Sequence, residues 1–200
     1  MMSPLSSAPP PAAARVDALV ADILAREGGY GADPADRGGA TNHGISLRYA
    51  QGIGLDLDGD GDTDKDDIVL VTPDHAAALY RQDFFYGPRL HVLPCSLWPV
   101  LFDWAVHSGP ARAVIGLQGV LNQTRRAGVA GFDSLDEDGR IGARTRKAAE
   151  IAEAALGGFL VNALVEERLA LLRRLVTNDP RLRGFLKGWI ARVLTFRVEV

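Results

Sequence analysis

Apolar residues recur at helical spacing in several parts of this 200-residue chain. In 15–26 the apolar positions are Val16, Leu19, Val20, Ile23 and Leu24. Residues three or four positions apart lie on one side of an α-helix, so this pattern predicts an amphipathic helix packed on a core. Gly28 or Gly29 follows, and either can take the left-handed conformation that ends such a helix.

The same periodicity predicts helices along the rest of the chain, at 72–85, 97–108, 111–123, 158–177 and 181–193. Two of them begin with a capping residue and a proline at the first helical position, Thr72–Pro73 and Asp179–Pro180. The stretch 30–46 lacks this period and is rich in turn signals, so turns and short strands are expected there. The pattern therefore predicts a mainly α protein with a small β region near 30–46.

The domain organisation is predicted from the absence of repeats, linkers and membrane spans in the sequence. The chain has no internal repeat, no long linker and no run of about 18 apolar residues that would predict a membrane span. We expect a compact, two-lobed helical body with a flexible leader at 1–14, a first region at 15–109 and a second helical region at 110–200 packed against the first. The leader lacks the basic and continuously apolar segments of a secretory signal, so synthesis in the cytoplasm without membrane insertion is expected.

Composition narrows the class of protein further. Hydrophobic residues make up 47% of the chain and charged residues 24%, which are the proportions of a globular protein. Cys95 is the only cysteine, so an intrachain disulfide is excluded, and the four histidines lack the spacing of a zinc site.

Charge is unevenly distributed around the net value of −3. Residues 1–110 contain 7 Lys+Arg against 15 Asp+Glu, a net of −8, and residues 111–200 contain 15 against 10, a net of +5. The basic half includes Arg168, Arg173 and Arg174 of the helix predicted at 158–177. It suits an anionic surface such as a cell-wall polymer, and an ordinary solvated helical surface explains it equally well. A nucleic-acid partner is not expected.

Seven aspartates are concentrated in residues 56–67. Six of them stand at positions 1, 3, 5, 7, 9 and 12 of an EF-hand-like calcium loop: Asp56, Asp58, Asp60, Asp62, Asp64 and Asp67. Asp62 would bind through its backbone carbonyl, and Asp67 replaces the usual glutamate. Because no helix is predicted before the segment, we expect 55–68 to be an inserted loop, similar to the loops of dockerin modules, that holds a structural Ca²⁺. The alternative is a solvated acidic loop without an ion.

The stretch 26–46 combines one glutamate, Glu27, with glycines, turns and polar side chains. At the C-terminal end of a helix the dipole disfavours a negative charge, which suits a carboxylic acid that must keep its proton. Asp36 and Thr41 follow, and a folded-back ribbon can bring them opposite the acid. Glycoside hydrolysis needs this arrangement, with an acid that protonates the leaving oxygen and groups opposite it that position a water. The alternative is that Glu27 is a solvated residue of the last helical turn.

The same stretch carries a longer pattern, E-G-G-Y-x-x-D-P-x-D-x-G-G-A-T-N-x-G-I-S. It resembles the opening motif of glycoside hydrolase family 108, whose members are lysozyme-like N-acetylmuramidases found among phage endolysins and secretion-associated muramidases. The resemblance implies a lysozyme-like fold with Glu27 as the catalytic acid, and Asp36 and Thr41 as residues that address the catalytic water. It also points to Tyr30 and His43 as substrate contacts, and His43 departs from the aromatic or similar residue usual in the family.

The resemblance to this family continues in F-D-x-A-V-x-x-G at 102–109. Asp103 and His107 are four residues apart and share one face of the predicted helix. On that face they are candidates to line the glycan cleft. The alternative is a local hydrogen-bonded pair that fixes the helix.

Two patterns in the C-terminal half resemble peptidoglycan-binding modules, D-G-x-I-G-x-x-T at 138–145 and F-x-x-G-W-x-x-R at 185–192. The second is similar to the end of the peptidoglycan domain that accompanies the family. Trp189 could therefore stack on a sugar face, although a tryptophan at helical spacing is more often part of a core.

The leading interpretation is a peptidoglycan hydrolase that cleaves the β-1,4 bond between N-acetylmuramic acid and N-acetylglucosamine, with no organic cofactor. It would act as a monomer on the cell wall after release through a holin or a secretion system. One alternative is a non-catalytic peptidoglycan-binding or phage-particle structural protein, which would not need Glu27. Another is a calcium-dependent interaction module, but dockerins need two acidic loops and this chain has one.

Overall fold

The computed structural model describes residues 12–31 and 39–200. Among these residues the protein is mainly helical, as predicted, with a small β region. The helices are α1 (Ala12–Glu27), α2 (Leu47–Ile53), α3 (Lys65–Leu70), α4 (Pro73–Leu79), α5 (Trp98–Ser108), α6 (Pro110–Arg126), α7 (Ala143–Leu156), α8 (Gly158–Asn178) and α9 (Arg183–Leu194). The strands β1 (Thr41–Asn42) and β2 (Ile45–Ser46) pair antiparallel.

The chain divides into two compact units, Met1–Arg81 and Gln82–Val200. In the first unit, the amphipathic helix predicted at 15–26 is confirmed as α1. Its apolar side, which includes Val16, Val20 and Ile23, is buried, and the helix packs against α4.

No helix is predicted before the acidic loop, but the structure contains one. α2 begins where the side chain of Ser46 accepts a hydrogen bond from the amide of Tyr49, and it ends at Gly54 with φ of 65°. Only Ala50 of its seven residues is buried, and a helix of seven residues is too short for apolar spacing to distinguish it from other elements. The acidic loop is therefore flanked by α2 and α3, and the prediction that no helix precedes it is wrong.

The helix predicted at 72–85 changes its winding part-way. Thr72 caps α4 through a hydrogen bond from the amide of His75. Beyond Leu79 the chain continues as a π-helix, Tyr80–Tyr86. Apolar spacing does not distinguish a π-helix from an α-helix at this length. The sequence therefore predicts where this helical segment begins and ends, but not that its second half is a π-helix.

In the second unit, α5 is largely buried, with seven of its eleven residues inside the core. It packs against α6 and α8. Trp104 of α5 lies so close to α6 that a Cβ atom on Gly116 would be 2.1 Å from the indole ring. The helices predicted at 97–108 and 158–177 are confirmed as α5 and α8.

A buried ion network joins three helices of the second unit. Asp103 of α5 is 3% exposed, and its carboxylate lies 2.7 Å from Nη2 of Arg168 in α8 and 2.8 Å from Nη2 of Arg192 in α9. Burial alone would raise the pKa of Asp103, but the hydrogen bond from Arg192 and the charge of Arg168 outweigh it and lower the pKa. Arg168 is fully buried, so it does not contribute to a basic surface of the C-terminal half. A guanidinium group can be buried here because a carboxylate is buried with it.

No single helix within 12–31 and 39–200 is long and apolar enough to cross a membrane. In the same two ranges, the bent pair α7 and α8, whose axes differ by 115°, reaches the length and composition of such a span when taken together.

Candidate active site

Glu27 is the last residue of α1, and the chain leaves the helix at Gly28 with φ of 72°. This is the left-handed conformation predicted for the helix end. The side chain of Glu27 is half-buried. Glu27 therefore lies at the boundary between α1 and the turn that follows it.

The β1–β2 hairpin packs directly against Glu27. Gly44 in its turn has φ of 77°, and a Cβ atom there would lie 2.8 Å from Cγ of Glu27 and 2.1 Å from the hydroxyl oxygen of Tyr80. Both distances are shorter than van der Waals contact, and L-residues with a side chain disfavour this φ. Only glycine allows the backbone of the turn to lie against both side chains.

Two hydrogen-bonding side chains hold the hairpin in place. The hydroxyl of Tyr80 donates to the carbonyl of His43 at 2.9 Å. The amide of Asn42 donates to the carbonyls of Ile68 and Val71, each at 3.0 Å, near the end of α3. His43 has φ of 48°, so the turn contains two consecutive left-handed residues, as tight hairpin turns require. The hairpin is thus a fixed part of the site.

Three other site residues are predicted in the first unit: Thr41, Tyr30 and Asp36. Thr41 exchanges two backbone hydrogen bonds with Gly31, at 2.7 and 2.8 Å, and its hydroxyl lies 3.4 Å from the Gly31 carbonyl oxygen. Tyr30 is 52% exposed. Asp36 lies outside the described residues. Tyr80 was not predicted as a site residue, because helical spacing marks it only as a buried position.

In the second unit, three aromatic side chains form a cluster near the end of α5: His107, Trp189 and Phe185. Nδ1 of His107 lies 3.1 Å from Oγ of Ser108, and the His107 ring meets Trp189 edge-on at 5.4 Å. Trp189 stacks in turn on Phe185, with ring centres 5.8 Å apart, and Phe185 is 61% exposed. Phe185 was not predicted as a site residue, because an apolar residue at helical spacing is usually buried.

The alternative in which Asp103 pairs locally with His107 does not hold. The carboxylate of Asp103 is bound by Arg168 and Arg192, and a glycan contact would require one of these ion pairs to open. Burial lowers the pKa of His107 to about 4, and the charges of Arg168 and Arg192 act in the same direction. His107 is therefore a neutral imidazole near pH 7.

The acidic loop arranges its carboxylates in two groups. Asp56, Asp58 and Asp60 form one group and Asp62, Asp64 and Asp67 the other, and the oxygens within each group lie within 4.8 Å of one another. Asp64 and Asp67 also cap α3 reciprocally. The charge of Asp60 raises the pKa of Asp62, whereas a hydrogen bond from the backbone amide of Asp64 lowers that of Asp67. Each group can offer the oxygen ligands that a metal ion binds.

Known proteins resemble the chain over most of its length. Residues 20–109 match the family described as Glycosyl hydrolase 108, and residues 112–194 match the domain described as Predicted Peptidoglycan domain. The structure of SagA from Brucella abortus is 32% identical in sequence, with a TM-score of 0.74 and 93% of each chain covered. Among curated proteins no significant match is found. The chain belongs to glycosyl hydrolase family 108.

Membership of family 108 confirms the resemblance carried by the motif at 27–46 and the mainly α, lysozyme-like fold. It makes this protein a glycoside hydrolase. The second matched domain identifies peptidoglycan as the polymer on which it acts.

The close approach of the hairpin to Glu27 predicts that Gly44→Ala disrupts the site of this family 108 protein. The added methyl group would overlap Tyr80 and Glu27. Gly54→Ala is the matched control, because Gly54 has φ of 65° and open space around it. Chemical unfolding should show that Gly44→Ala loses about 1–3 kcal/mol more free energy of unfolding than the control. Equal losses would show that the contact is not close.

The low pKa of His107 predicts a loss of stability in acid. The unfolded chain binds a proton near pH 6.5 and the folded chain only near pH 4, so this stability is complete above pH 6.5 and is lost as the pH falls towards 4. The loss is at most about 1.4 kcal/mol for each pH unit. His107→Asn should reduce the pH dependence of the unfolding free energy in this range.

His91→Asn, at an exposed position of the same unit, is the control for loss of a histidine. The same pH dependence in the wild-type and His107→Asn chains would contradict burial of His107 in its neutral form.

Proposed function

We propose that this protein is an N-acetylmuramidase that cleaves the β-1,4 bond between N-acetylmuramic acid and N-acetylglucosamine, with Glu27 as the general acid. The packing of the Gly44 backbone against the side chains of Glu27 and Tyr80 carries this proposal. The Gly44 turn limits the positions that the Glu27 side chain can take, and this side chain remains partly exposed to solvent.

In the proposed reaction Glu27 donates its proton to the glycosidic oxygen as the bond from that oxygen to the anomeric carbon breaks. The sugar ring takes on positive charge, and a water attacks the anomeric carbon. The proton that this water loses passes to solvent, and Glu27 takes up a proton again before the next cycle. Asp36 and Thr41 are proposed to position this water. Thr41 belongs to β1 of the hairpin that packs on Glu27, which supports its assignment.

Four side chains are proposed to contact the glycan: Tyr30, His43, His107 and Trp189. Tyr30 is half exposed beside the helix end that carries Glu27. Trp189 and Phe185 present stacked rings of the kind that pack on sugar faces. Asp103 is proposed to act indirectly, because its ion pair with Arg192 holds the helix that carries Trp189.

Glu27→Gln should lower the release of reducing sugars from purified peptidoglycan by about 10²- to 10⁴-fold, because the amide cannot donate the required proton. Asp22→Asn, at an exposed position of the same helix, should keep full activity. Thermal unfolding checks that each variant is folded. Full activity in Glu27→Gln would exclude Glu27 as the acid. A folded wild-type chain without any activity would favour the alternative of a peptidoglycan-binding or phage-particle structural protein.

We further propose that the enzyme acts as a monomeric, endolysin-type protein in bacteriolysis. It would reach the wall through a holin or a secretion system. The support for this route is the motif at 27–46, which is similar to that of phage endolysins.

The acidic loop is proposed to bind one structural Ca²⁺. Asp56, Asp58 and Asp60 place carboxylate oxygens within 4.8 Å of one another, and carboxylate oxygens are the preferred ligands of this ion. The flanking helices α2 and α3 give the segment a helix–loop–helix arrangement. Binding would neutralise the repulsion among the aspartates and fix the loop.

If Ca²⁺ binds only the folded chain, a concentration of 100 times Kd should stabilise it by about 2.7 kcal/mol. Thermal unfolding in Ca²⁺ and then in EGTA measures this effect. Asp58→Asn should remove most of the Ca²⁺ response. Asp66→Asn should preserve it, because Asp66 belongs to neither carboxylate group. An equal loss in both variants would indicate general charge repulsion and not a site.

A further inference from the structure

The loop between α6 and α7 is irregular but firmly held by two buried amides of α6. Gln118 donates to the carboxylate of Asp138 at 2.8 Å and accepts from the amide of Gly139 at 2.9 Å. Asn122 donates to the carbonyl of Leu135 at 3.0 Å and accepts from its amide at 2.8 Å. A loop held in this way presents a preformed surface, which lowers the entropic cost of binding a ligand.

A cavity of about 320 Å³ lies between this loop and α7. We call it the Arg144 cavity, and its lining residues are Gly131, Phe132, Asp133, Leu135, Arg144 and Lys147. A guanidinium nitrogen of Arg144 donates to the carbonyl of Ser134 at 2.6 Å, which fixes the charged group at the cavity wall. The proposed hydrolysis involves none of these residues. The cavity has the size of a small-ligand site.

Charged groups of both signs line the Arg144 cavity. Arg144 and Lys147 are three residues apart on α7 and therefore project from the same side of the helix. Asp133 supplies a carboxylate from the loop. Phe132 and Leu135 add apolar surface. The cavity therefore suits a ligand that carries a carboxylate, an ammonium group and an aliphatic segment.

We propose that the Arg144 cavity binds the stem peptide of peptidoglycan, an inference that rests on the proposed function because it takes peptidoglycan as the substrate. The glycan strand presents mainly neutral hydroxyl and acetamido groups, whereas the stem peptides carry free carboxylates and the amines of diamino acids. Arg144 and Lys147 bind the carboxylate, and Asp133 binds the ammonium group. Phe132 and Leu135 contact the aliphatic part of the peptide.

Calorimetric titration of the full chain with a synthetic stem tetrapeptide tests this assignment. The peptide carries a diamino acid with a free amine and ends in a free carboxylate. Lys147→Ala should weaken binding by about three- to tenfold through loss of a charge-assisted contact. Arg146→Ala is the matched control on the same helix, because Arg146 pairs with Glu150 and does not line the cavity.

Chemically modified peptides identify the groups that the cavity recognises. Acetylation of the peptide amine should weaken binding to the wild-type chain but not to Asp133→Ala. Amidation of the peptide carboxylate should likewise have less effect on Lys147→Ala than on the wild-type chain. Coupling of this kind is expected only when the two altered groups are in contact.

Three results would overturn the proposal: no binding of the tetrapeptide, equal weakening by Lys147→Ala and Arg146→Ala, or competition from a peptide-free chitooligosaccharide. Thermal unfolding of each variant shows that the chain is folded. The hydrolysis proposal can fail separately: full activity of Glu27→Gln on peptidoglycan would exclude Glu27 as the acid. Peptide binding by Glu27→Gln should be retained in either case. Conversely, Lys147→Ala should retain cleavage of glycan strands from which the peptides have been removed.

Discussion

The buried carboxylate of Asp103 is the interaction on which the second unit depends. Asp103 lies in the segment that matches the hydrolase family, whereas Arg168 and Arg192 lie in the segment that matches the peptidoglycan domain. A buried charge without its partners is strongly destabilising, so this network forms only when α5, α8 and α9 assemble together. The compact unit Gln82–Val200 therefore includes residues from both matched segments, joined by one set of charges.

In the first unit the corresponding constraint is steric: the hairpin turn lies too close to its neighbours for any residue but glycine. Gly44 lets the hairpin turn lie against Glu27 and Tyr80, while Tyr80 and Asn42 hold the same hairpin through hydrogen bonds. The position of Glu27 thus depends on the backbone packing of Gly44 and on Tyr80 and Asn42, to which no step of the proposed hydrolysis is assigned. The proposed functions divide in the same way, with hydrolysis assigned to Glu27 and recognition of the stem peptide to the Arg144 cavity.

Much of the fold was predictable because its signals are local. The apolar side of α1, the left-handed Gly28 and the proline at the start of α4 depend only on neighbouring residues. The helix α2 was missed because seven residues are too few for apolar spacing to distinguish a helix from other elements. The π-helical winding after Leu79 was missed because it depends on packing and not on composition.

By itself, the sequence determined the mainly α class, the position of Glu27 at a helix end, and the motif that places the chain in family 108. These properties follow from nearest neighbours and from residue order. Only the tertiary structure decided that Arg168 is buried with Asp103, that Gly44 lies against Glu27 and Tyr80, and that Arg144 and Asp133 line one cavity. The reason is physical: each pairing joins residues of different helices, strands or loops, and no local pattern encodes which residue of another element a side chain meets.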